Sequence, residues 1–209
     1  MIQQNTEEWL SEKIGCLTGT LAARVMGTPK VRRTLIRDMV IEIALARGKA
    51  FAGNKHTRKG KEDEPQAISA YRAFILDEGI VQTGAFVVSD ESPFIGCSPD
   101  ALIDIPFRPD IPLHGGCEIK NLSPEVHFDL LESEVIGDDY LWQVKWNLMV
   151  TKRQWWDFFA YCKELPPQMS YYHKRFWPDP IEHERMMGAA TTLLDELFSI
   201  LKKYNLVIQ

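Results

Sequence analysis

Two apolar segments that read as β-strands carry charge where a strand would bury its side chains. FIGCSPDALIDI, residues 94–105, holds Asp100 directly after Pro99, and CEIKNL, residues 117–122, holds Glu118 and Lys120. Side chains two apart on a strand share a face, so Glu118 and Lys120 point one way and Ile119 the other. If the two strands pair, the Asp100 carboxylate meets Glu118. Adjacent buried carboxylates repel, and at least one must titrate high unless a cation relieves them. The chain must therefore build a sheet that gathers these groups and supplies a reason for them.

The rest of the sequence surrounds those strands with helices. Thr6, Glu7 and Glu8 open a short helix through Trp9 that ends near Gly15. TGTLAARVMG (18–27) reads as a second short helix. Thr28 and Pro29 start a longer one running to about Arg47, before Gly48. GKAFAGNKHTRKGKE is polar, basic and glycine-containing, and reads as a loop. A further helix covers about 61–78 and ends at Gly79. Residues 80–89 and 94–105 read as paired strands across the turn DESP, and a proline-rich loop leads to 117–122. Ser123 and Pro124 cap a helix. Residues 138–151 are apolar almost all round and read as a helix buried against the sheet. QWWDFFAYC (154–162) and MSYYHKRFW (169–177) form a hairpin. Asp179, Pro180 and Glu182 begin a last helix over about 180–204. With no repeat or linker, the expectation is a single domain over 1–209, of the α/β class, with a central mixed sheet flanked by helices.

Bulk properties narrow the function. The chain has 209 residues, and no apolar run approaches the roughly 18–20 residues of a membrane span. The N-terminus lacks a signal-peptide pattern. Cys16, Cys97, Cys117 and Cys162 are scattered, which points to reduced thiols in a cytoplasmic protein rather than a zinc or iron–sulfur site. Net charge is −5, yet residues 30–61 hold ten Lys/Arg against Asp38 and Glu42. A positive patch on an acidic body suits phosphate contacts.

The three charged strand residues suit phosphodiester hydrolysis. Hard carboxylate oxygens from Asp100 and Glu118 fit Mg²⁺, with Mn²⁺ as a substitute, and the Ile119 carbonyl adds an oxygen. Lys120 cannot ligate as an ammonium. It can orient a water or stabilise charge on a phosphate. Glu62, Asp63 and Glu64, at the start of a helix, offer a third carboxylate. Trp9 suits contact with a DNA end, and His56 suits the lining of a DNA channel. Trp142, Trp146, Trp155, Trp156 and Trp177 lie in apolar runs and read as core.

KIGCLTGT, GKEDEPQA, FIGCSPDALI, CEIKNL and YLWQVKWNLMVTKRQWWDFFAY occur in the order and approximate spacing of the phage lambda exonuclease-like (YqaJ-type) viral recombination nucleases, over about 9–165. The resemblance implies a PD-(D/E)xK restriction-endonuclease-like fold. It implies Mg²⁺-dependent, processive 5′→3′ degradation of one strand of double-stranded DNA, leaving 3′ single-stranded tails. It also implies a homotrimer ring, a single-strand annealing protein as partner, and a phage or prophage gene in a bacterial host. By position, Asp100, Glu118 and the Ile119 carbonyl would hold metal, Glu64 would be the helix carboxylate, and Lys120 the catalytic lysine. Gln143 would face the site and position the substrate or Lys120. Lys13, Thr20 and Ser98 would occupy the 5′-phosphate pocket, where lysine replaces the family's arginine and loses its two-pronged fork. Asn147 stands where related RecB-type nucleases have a tyrosine. An endonuclease of the same fold and a non-catalytic DNA-binding module are the alternative readings.

Overall fold

The structure is a computed structural model that describes residues 13–45, 55–75, 80–82, 84, 86–105 and 114–208. A 3-10 turn, Gly19–Leu21, leads into α1 (Ala22–Val25), α2 (Pro29–Ala44) and α3 (Lys55–Phe74). The strands β1 (Ile80–Gln82), β2 (Val87–Ser89), β3 (Ser92–Cys97), β4 (Ala101–Asp104) and β5 (His114–Asn121) follow. Then come α4 (Pro124–Ser133), α5 (Asp138–Thr151), β6 (Trp155–Tyr161), β7 (Tyr171–Phe176) and α6 (Pro180–Lys203).

Local chemistry explains most boundaries. The Ser123 hydroxyl accepts from the Val126 N–H, and Glu134 ends α4 in the left-handed region. The Asp179 carboxylate accepts from the N–H groups of Ile181 and Glu182 and starts α6. Asp138 and Asp139 sit in the first turn of α5, where they complement the helix dipole.

β1, β4, β5, β6 and β7 form one sheet in that order. β5 and β6 run parallel and every other neighbouring pair antiparallel, so the sheet is mixed, as expected. The two long strands expected at 80–89 and 94–105 are each broken in two. Ile80–Gln82 pairs with Leu102–Asp104 in the main sheet, while β2 and β3 form a separate ribbon. Pro99 interrupts the second run, because it has no N–H to donate to a ladder. The ribbon is tied to the N-terminal segment: the Leu17 N–H donates to Phe94 O and the Gly96 N–H donates to Leu17 O.

The expected basic loop is also corrected. α3 already begins at Lys55, and the lysines, arginine and glutamates there are good helix formers that extend the buried turn at Ala67 and Tyr71 backwards. The expected helix before Gly15 lies mostly outside the described residues, and 13–15 form a turn.

Each face of the sheet is packed. Ala101, Ile103, Cys117, Ile119, Trp155 and Phe159 meet Ala67 and Tyr71 of α3. Leu102, Trp156, Phe158 and Ala160 meet Val144 and Leu148 of α5 and Leu130 of α4. Glycine is required at 115 and 116, since a Cβ there would fall 2.1 Å and 2.2 Å from ring carbons of Trp155 and Trp156. Trp146, Trp155 and Trp156 are core as expected, but Trp177, just past the end of β7, is 57% exposed. Among the described residues no helix is long and apolar enough to cross a membrane.

Candidate active site

The β4–β5 register places the acids together. Ala101 faces Cys117, so one step further Asp100 stands opposite Glu118 and Pro99 opposite Ile119. The Ile119 N–H, which would pair with a strand at that point, donates instead to Asp100 Oδ2 at 2.7 Å. An extended residue directs its N–H and C=O to the same neighbour. The Ile119 carbonyl thus faces the same edge, where Pro99 has no N–H to offer it. The Pro-Asp pair ends the ladder, supplies a carboxylate, and leaves a carbonyl oxygen beside it.

Lys120 and Glu118 share the α5 face, and the Lys120 ammonium donates to Glu118 Oε1. The Lys120 Nζ also lies 5.2 Å from the centroid of the Tyr140 ring. Glu118 Oε2 accepts from Asn147 Nδ2 at 3.0 Å. Glu118 is 1% exposed, so its charge is taken almost fully out of water. Burial, together with the Asp100 charge, lifts its carboxyl to about 8 despite Lys120 and Asn147. Burial lifts Asp100 too, against the pull of Lys120 and the Ile119 N–H. For Lys120 burial acts downward, but the two acids outweigh it and hold the ammonium above its usual range. One ammonium does not neutralise two acids.

A divalent cation resolves that imbalance, and the donors present fit one. Two carboxylates and a backbone carbonyl are the hard oxygens that Mg²⁺ or Mn²⁺ takes. Among the described residues no three His, Cys, Asp or Glu side chains gather into a larger ligand cluster. Glu64, the expected third carboxylate, lies in α3 one turn before Ala67, and its side chain is outside the described residues, as is that of His56. Trp9 is outside them altogether.

The expected phosphate pocket borders the same ribbon. Lys13 is mostly buried, and its pKa falls to about 8 through burial, partly offset by the Cys97 and Cys16 thiols. The Lys13 Nζ lies 5.4 Å from the centroid of the Phe86 ring, one residue before β2. Among the described residues the buried Ser98 Oγ has no hydrogen-bond partner. Thr20 shares a hydrogen bond with Thr18 at 3.1 Å and is exposed. Gln143 lies against the Gly19 turn: its Cγ would lie 3.2 Å from a Cβ on Gly19.

Asn147 and Tyr140 were not read from the sequence as site residues. The available signal was spacing: Tyr140, Gln143 and Asn147 fall at i, i+3 and i+7, a polar stripe on an apolar helix.

A model of the YqaJ-like viral recombinase domain matches residues 8–154. The alkaline exonuclease LHK-Exo from Laribacter hongkongensis is similar in fold, with a TM-score of 0.83, 24% identity and 96% of each chain covered. Its complex with dAMP gives the same score and identity over 95% of this chain and 96% of that one. A phage-related exonuclease from Haemophilus somnus 129PT has a TM-score of 0.58 at 16% identity, covering 89% of this chain and 96% of that one. No curated protein matches the chain. Family and fold therefore agree: the chain belongs to the YqaJ-like viral recombinase domain family and has the fold of the alkaline exonuclease LHK-Exo.

Proposed function

We propose that this protein is a Mg²⁺-dependent exonuclease that degrades one strand of duplex DNA processively, 5′→3′, and leaves 3′ tails for single-strand annealing. The observation that carries the reading is the half-buried Asp100, bonded to the Ile119 N–H, beside the buried Glu118, with Lys120 as the ammonium between them.

Asp100, Glu118 and the Ile119 carbonyl hold the metal, with Glu64 of α3 as a further carboxylate. A bound Mg²⁺ would act as a Lewis acid on the scissile phosphate and lower the pKa of a water. Lys120, held by Glu118 and by the Tyr140 ring, presents its ammonium to the developing negative charge or to the attacking water. Gln143 positions the substrate from the neighbouring turn of α5. Lys13, Ser98 and Thr20 receive the 5′-terminal phosphate, and the unpartnered Ser98 hydroxyl supports that assignment. Trp9 and His56 contact the DNA around it.

The same reading makes the chain one nuclease domain in a homotrimeric ring, with a single-strand annealing protein as partner. It acts in the cytoplasm of a bacterial host and is encoded by a phage or prophage. The test is digestion of linear duplex labelled separately at each 5′ and 3′ end, with and without 5′-phosphate, in Mg²⁺ and in EDTA. Early release of the 5′ label, only in Mg²⁺, is the expected result. Release of the 3′ label first overturns the polarity, and cutting of covalently closed circles indicates an endonuclease instead.

A further inference from the structure

Asn147 is an amide in an otherwise apolar buried stretch of α5, between Trp146 and Leu148, and it is 1% exposed. Burying an amide without partners is unfavourable, so its two ends call for an account. One end is the Nδ2–H bond to Glu118 Oε2. Because Lys120 occupies Oε1, this bond fixes the rotation of the carboxylate. The other end, Oδ1, is pressed against Gly19: a Cβ on Gly19 would come within 2.7 Å of it. Gly19 opens the turn that carries Thr20 and follows Leu17, which is hydrogen-bonded into β3 on both sides. β3 in turn leads through Cys97 to Ser98. The Asn147 backbone is braced as well, its carbonyl accepting from Thr151 Oγ1 at 2.7 Å.

We infer that Asn147 is a positioning residue: a strut on α5 that orients Glu118 and holds the Gly19 turn at a set distance from it. The inference rests on the reading of Glu118 as a metal ligand. Where a nuclease cuts depends on where the chain end is held relative to the metal, and an error of about 1 Å at a reacting centre can cost about 100-fold in rate. The carboxamide joins the two halves of that geometry directly. Hydrogen-bond partners of ligating groups typically change metal affinity by about 10–100-fold when removed.

The test compares wild type, Asn147→Leu, Gly19→Ala and the double variant. Leucine keeps the volume and removes the donor. The Gly19 methyl keeps the donor and displaces it. Mn²⁺ affinity is read from the free-ion electron paramagnetic resonance signal, product lengths from 5′-phosphorylated duplex, and folding from circular dichroism melts. Asn147→Leu should weaken Mn²⁺ binding by about tenfold or more. Gly19→Ala should weaken it less and broaden the product lengths. The double variant should be no worse than Asn147→Leu alone, the non-additivity expected of groups in contact. If Asn147→Leu does not fold, Asn147→Ser, too short to span both contacts, takes its place. Mn²⁺ affinity within twofold of wild type, or two fully additive effects, overturns the strut while the metal reading stands. Wild type that takes up no Mn²⁺, or uptake that survives Asp100→Asn, overturns the strut together with the metal reading.

Discussion

Asp157 and Glu118 stand on neighbouring strands of one sheet, both almost wholly buried, and point to opposite faces. Asp157 faces α3. It accepts from Tyr71 Oη at 2.8 Å and from Arg175 Nε and Nη2 at 2.7 Å and 2.8 Å, and His173 Nε2 lies 3.0 Å away. Burial alone would raise its pKa, but Arg175 and His173 outweigh it and hold the carboxyl below the ordinary range. Glu118 faces α5 with a second acid beside it, and its carboxyl rises to about 8. A buried acid whose lone pairs are all matched holds a structure together. One that shares too little positive charge with a neighbour is a place for a cation.

The experiments that bear on that contrast begin with the largest effect. Lys120→Ala should lower nuclease activity by about 10²–10⁴-fold, as assayed on linear duplex. Full activity in that variant would remove Lys120 from the chemistry. Asp157→Ala should act on the fold instead. It strands the partly buried Arg175 guanidinium, which is also stacked 3.8 Å from the Trp155 ring centroid, and should cost about 3–5 kcal/mol in denaturant titrations. Glu118→Gln should leave the metal-free protein as stable as wild type or more so, since it relieves the repulsion from Asp100.

Mg²⁺ should raise the melting temperature of wild type and not of Asp100→Asn. At a hundredfold excess over the dissociation constant the gain is about 2.7 kcal/mol, or roughly 5–10 °C for a chain of this size. An equal shift in both proteins would place the ion elsewhere. The pH dependence should separate the two acids further. Asp157 has a folded pKa below its unfolded value of about 3.9. Its stabilisation is therefore complete above that value and is lost as pH falls through the folded pKa. Denaturant titrations below about pH 4 should show wild type losing stability more steeply than Asp157→Asn.

The smallest effect belongs to Lys13. With a pKa near 8 it is charged below that pH and neutral above it, in the absence of a bound anion. The preference for 5′-phosphorylated ends should decline several-fold between pH 7 and pH 9, and Lys13→Arg should keep the preference flat. A wild-type profile that is already flat would place the phosphate away from Lys13.

The candidate site residues were legible because they violate a local rule: Asp100, Glu118 and Lys120 interrupt apolar strands, and period-two spacing puts the last two on one face. The helix at 138–151 and the capped starts at Ser123 and Asp179 were legible for the same kind of reason, since caps and periodicity are written in adjacent residues. Asp157 was not. WWDFFAY looks like a core strand with one stray acid, and its partners are His173 and Arg175 on the other arm of the hairpin and Tyr71, distant in the chain. Asn147 was visible only as a missing tyrosine, because its meaning depends on Gly19 and Glu118 converging on it. The broken strands at 80–105 show the same limit. Pro99 marks the break in the second run, but the docking of Leu17 onto Phe94 and Gly96, which ties the ribbon to the N-terminal segment, is a long-range contact.

The sequence by itself determined the element types, the apolar core and the charged triplet, because propensity, capping and side-chain alternation act within a few residues. Tertiary structure alone decided which buried acid is satisfied and which is left wanting. Hydrogen bonds and desolvation depend on groups brought within 3 Å by packing, and no local pattern records whether such a partner will arrive.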